Sequence, residues 1–93
     1  MTEDERVQRA NEAKRIWESR LMREAREHIE QALMKGFAAT PLRDDEGLRR
    51  IRGLYEAHKA YDSFFKAALE DGKLAQIEIE RKKGLRERLR NVI

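Results

Sequence analysis

The chain has 93 residues, 42% of them charged and 6% aromatic, with one proline and no cysteine. That length holds one domain at most, and without cysteine neither a disulfide framework nor a thiolate metal site can form. No apolar run approaches the ~20 residues that span a bilayer. The lack of cysteine fits a cytoplasmic protein, the acidic start MTEDERVQRANE does not read as a secretory signal, and no membrane partner is expected.

The net charge of +3 is unevenly spread. Residues 1–36 balance to zero and residues 37–72 to −1. Residues 73–93 carry seven Lys/Arg against three Asp/Glu, so the basic excess lies in the last segment.

The first element opens on Thr2-Glu3-Asp4-Glu5, a capping box with acids at the positive end of the helix dipole. Val7, Ala10, Ala13, Trp17, Leu21, Ala25, Ile29 and Ala32 follow at steps of three and four, one stripe of an α-helix. No Gly or Pro intervenes before Gly36, a natural stop. The pattern predicts one helix over residues 3–35. Arg20/Glu24, Arg23/Glu27 and Arg26/Glu30 lace its other face with solvated i,i+4 pairs.

In the connector that follows, Pro41 pushes Thr40 out of the helical region, while Phe37 and Leu42 are expected to cover the helix ends. Asp44 or Asp45 caps a second helix over residues 45–71, whose stripe is Leu48, Ile51, Leu54, Tyr55, His58, Tyr61, Phe65, Ala68 and Leu69. Gly72 is its expected stop, with Leu74 folding back on the last turn. In the final stretch Ile77-Glu78-Ile79-Glu80 alternates as a strand would. Leu74, Ile77, Leu85, Leu89 and Val92 instead share a helical stripe, and a helix is expected because a lone strand has nothing to pair with. Gly84 is a point where that helix loosens.

The expected architecture is therefore all-α: a long antiparallel helical hairpin over residues 1–72, then a basic amphipathic segment over residues 73–93. A hairpin has one seam and a small core, whose burial barely offsets chain entropy. Trp17, Leu21, Tyr55, Tyr61, Phe64 and Phe65 exceed what one seam uses. They are the expected interface with a second copy or a larger protein.

Catalysis is poorly provided for. His28 and His58 lack the Glu-x-x-His partner of di-iron bundles, since residues 25 and 55 are Ala and Tyr. Glu24 and His28 alone make a weak metal pair. There is no nucleophile elbow and no phosphate loop. Asp44-Asp45-Glu46 is explained by a helix cap, and no cofactor or metal is expected. Arg81, Lys82, Lys83, Arg86, Arg88 and Arg90 could meet phosphates, with strong salt dependence, or an acidic protein surface. A solvated helix face is the first expectation for them; the interleaved Glu78, Glu80 and Glu87 and the absence of a stacking aromatic put an acidic protein surface ahead of phosphate.

Three runs carry a resemblance: Thr40-Pro41-Leu42-Arg43-Asp44-Asp45-Glu46, Ile51-Arg52-Gly53-Leu54, and Leu69-Glu70-Asp71-Gly72-Lys73-Leu74-Ala75. Over roughly residues 20–80 the chain resembles short helical proteins encoded in the head and packaging modules of tailed bacteriophages. The resemblance implies a non-enzymatic assembly subunit, acting as a homo-oligomer or on a larger phage structural protein. It would work in the host cytoplasm during assembly or in the virion. A packaging accessory that binds nucleic acid, similar to a small terminase subunit, is the alternative.

Overall fold

The computed structural model describes residues 1–92 and contains three helices: α1 (Glu3–Trp17), α2 (Arg20–Ala39) and α3 (Asp45–Val92). The all-α expectation agrees, and the stretch around Ile77–Glu80 is helical. Three boundaries differ from the sequence reading, each for a local reason.

The single helix expected over residues 3–35 is two. Ser19 sits in extended backbone (φ −60°, ψ 146°) and caps α2, its hydroxyl oxygen accepting from the Met22 amide at 3.2 Å. The same hydroxyl donates to the Ile16 carbonyl at 2.8 Å. One short side chain thus closes α1 and opens α2, satisfying backbone groups that a helix end leaves without partners. Arg26 secures the break: its Nη1 donates to the Trp17 carbonyl at 2.9 Å, and its guanidinium lies 3.7 Å from the centre of the indole ring. Ser19→Ala is expected to cost about 1 kcal/mol, read by thermal melting, with a shift in Trp17 emission as the clasp loosens.

Gly36 does not stop α2, which runs on to Ala39. Thr40 ends it, extended as Pro41 requires (φ −90°, ψ 120°), with its hydroxyl donating to the Gly36 carbonyl at 2.7 Å. Asp44 is the cap of α3, accepting from the Gly47 amide at 2.9 Å. Leu42 covers nothing: it is 91% exposed, and Phe37 is also exposed.

Gly72 does not stop the last helix either. α3 passes through it and through Gly84 without a break, and no glycine among the described residues has a positive φ. The segment 73–93 is, to Val92, the continuation of α3.

The contacts divide the chain into two units, one of Met1–Arg15 with the chain from Phe65 onward, the other of Ile16–Phe64. In the first, α1 runs antiparallel to the later part of α3. Its buried residues are Phe65 and the small Ala10, Ala13, Ala68, Gly72 and Ala75, and the small ones let two backbones approach closely. At the tightest point a Cβ on Gly72 would lie 2.0 Å from the Cβ of Ala10. Polar contacts flank this seam. Arg6 presents Nε and Nη2 as a fork to the Asp71 carboxylate (3.1 and 2.8 Å) and Nη1 to Glu78 at 3.3 Å. Farther along, Lys82 pairs with Glu3.

The hydrogen bonds from Arg6 hold the Asp71 carboxyl below the usual aspartate range, and the bond from Lys82 does the same for Glu3. A lowered carboxylate pKa contributes stability above its unfolded value, lost as pH falls through the folded value. The first unit is therefore expected to weaken below about pH 4. Asp71→Asn should lower stability at neutral pH and flatten the acid limb of a melting-temperature profile.

Candidate functional site

The second unit packs α2 antiparallel to the first part of α3: Gly36 faces Ile51, and Glu30 faces His58 one register further along. None of its residues is fully buried; every buried residue among those described belongs to the first unit. On α2 the steps of four from Met22 to Arg26, and from Ala25 to Ile29, align one row. On α3, Leu54, His58 and Tyr61 align the other. Between them lies an apolar groove of about 400 Å³ lined by these seven residues. Ile29, Leu54 and Tyr61 are 43, 58 and 50% exposed along it.

The six expected interface residues do not share one environment. Tyr61 lines the groove. Leu21, Tyr55 and Phe64 belong to the same unit and are exposed, and the Lys59 ammonium sits 5.4 Å from the Tyr55 ring. Trp17 is half-buried beneath Arg26. Phe65 is the correction: it is buried in the first unit and is not among the exposed side chains.

The basic set is also not a uniform patch. Lys82 is engaged by Glu3, while Lys83 and Arg86 border a hollow that Glu3 and Asp4 also line. Arg81 lines a neighbouring hollow with Glu3 and Glu78. Acids from the first turn of α1 thus lie beside four of the six cations. Arg88 and Arg90 are exposed near the end of α3.

One cluster escaped the sequence reading. His58 Nε2 lies 3.7 Å from Glu30 Oε1 and 3.8 Å from Asp62 Oδ2. The pair on α3 is His-x-x-x-Asp, an i,i+4 spacing that puts two ligands on one helical face. Glu30 comes from the facing helix, which only the packing of α2 on α3 discloses.

No family model matches the chain, and no curated protein or solved structure is similar enough to it to count as a match. Among the described residues no helix is long and apolar enough to cross a membrane.

Proposed function

We propose that the chain is a non-enzymatic assembly subunit of a tailed-phage particle or its packaging machinery, acting through helix–helix contacts with a second copy of itself. The observation that carries this reading is the second unit: two amphipathic helices with no buried residue and a row of exposed large apolar side chains along their groove. On α3, Leu74, Ile77, Leu85 and Leu89, all 55–57% exposed, add a helical stripe suited to the same kind of contact. The resemblance of residues 20–80 to phage head and packaging proteins supplies the setting.

The nucleic-acid alternative draws on the +4 balance of residues 73–93. Its support is reduced by Glu3 and Asp4, which lie among the cations that phosphates would need.

Sedimentation equilibrium over a concentration series tests the proposal. A reversible dimer or larger oligomer is expected. A cooperatively melting monomer at high concentration, with duplex DNA shifted at low salt and released as salt rises, would replace it with the alternative.

A further inference from the structure

We propose that Glu30, His58 and Asp62 form a binding site for one divalent first-row transition metal ion of the zinc type. Each side chain offers one donor atom, and the three donors lie within 4.8 Å of one another. The cluster is not merely a group of surface acids. The His58 side chain is only 9% exposed, and its Nε2 points between two carboxylates that are both too far for a hydrogen bond. The Asp62 Oδ1 atom is buried and has no hydrogen-bond partner. A buried carboxylate oxygen left this way is costly. A cation among the three donors would give the imidazole nitrogen a partner, and a bidentate turn of the Asp62 carboxylate would serve its second oxygen as well.

The chemistry of the donors selects the ion. Mg²⁺ and Ca²⁺ take oxygen ligands, whereas a neutral imidazole with two carboxylates suits zinc and its first-row neighbours. Zinc bonds of about 2.0–2.2 Å give a tetrahedral edge of about 3.3–3.6 Å, so the two edges to His58, 3.7 and 3.8 Å, need to close by a few tenths of an ångström, and the edge between Glu30 and Asp62, within 4.8 Å, closes as the Glu30 carboxylate moves inward. Glu30 is on the exposed side of the cluster (58%) and its side chain can swing to do so. Two carboxylates balance the charge of a divalent cation. The fourth position is left to water. Because Glu30 lies on α2 and the other two ligands on α3, the ion would tie the two helices of this unit together. The inference does not depend on the oligomer reading.

Isothermal titration of the metal-stripped chain with Zn²⁺ tests it, alongside thermal melting with and without Zn²⁺. One ion per chain is expected, with a higher melting temperature when bound, and Co²⁺ should give the intense visible bands of a tetrahedral site. His58→Gln and Asp62→Asn should each weaken Zn²⁺ binding by more than about tenfold and remove the thermal shift. His28→Gln, at the other histidine, should change neither. Glu30→Gln alters an exposed side chain and should fold normally, so its loss of affinity supports the site even if a variant at His58 fails to fold. No binding at about 1 mM Zn²⁺, or the same affinity in the Glu30, His58 and Asp62 variants as in the unaltered chain, would overturn the proposal.

Discussion

Gly72→Ala is expected to destabilise the chain by about 2 kcal/mol or more, although alanine is the better helix former by ~1 kcal/mol. The new methyl carbon would stand 2.0 Å from the Cβ of Ala10 and 3.5 Å from the Arg6 carbonyl oxygen. Alanine has no rotamer that could move aside, and both partners sit on helical backbone. The helices must therefore separate, which opens the seam of Ala13, Ala68 and Ala75 and stretches the fork between Arg6 and Asp71. Urea unfolding followed by circular dichroism would read the loss. Ala10→Gly in the same chain should restore part of it by vacating the contact. Gly53→Ala and Gly84→Ala are the controls, because nothing lies within 4 Å of a Cβ at either position. Each should gain ~1 kcal/mol. A Gly72→Ala chain as stable as these controls would mean that the close crossing is wrong.

Leu54→Asp combined with Tyr61→Ser is expected to weaken self-association by about 100-fold or more while leaving the helical content unchanged. Large side chains at the centre of an interface commonly carry about 2 kcal/mol or more each, and a charge placed in an apolar contact adds a desolvation cost. In the single chain these two side chains are 58 and 50% exposed, so folding loses little when they change. Sedimentation equilibrium would read the association constant. Leu42→Ser is the control, since Leu42 is 91% exposed in the connector rather than on the groove. Equal association in the double variant and the control would remove the groove from the interface and leave the apolar stripe of α3 as the surface to test.

Most of the helical content was legible because each helix carries its own signals. Thr2 accepts from the Glu5 amide at 3.1 Å as the capping box requires, Pro41 fixes Thr40, and acids mark the start of α3. The break at Ser19 was not legible. The apolar stripe passes through it without a change of phase, α2 has no acid in its first turn, and a serine inside a helix looks the same in sequence as a serine that caps one. The glycines misled for a related reason. At Gly36 and Gly72 the sequence offers a residue that can end a helix, but the same residue can instead admit a close neighbour. Whether Gly72 terminates or packs depends on what lies opposite, and that is Ala10, 62 positions earlier in the chain.

The site divides along the same line. Exposed aromatic and apolar residues beyond the needs of one seam were visible in the stripes of the sequence. Phe65 could not be separated from Phe64, because adjacent residues on a helix differ by 100° in direction and only a neighbouring helix makes one of them interior. The basic run was visible too, but not the acids of α1 that stand beside it.

By itself the sequence determined that the described chain is helical, where its first capping box and the Pro41 connector lie, and that it carries more apolar and aromatic side chains than one seam uses. These are local properties, set by side-chain spacing and backbone chemistry within a few residues. Only the tertiary structure decided that Gly72 is a point of helix contact, that Phe65 is interior, that Glu3 pairs with Lys82, and that Glu30 meets His58 and Asp62. Each of those depends on which faces of two helices meet and at what register, and no periodicity within one helix contains that information.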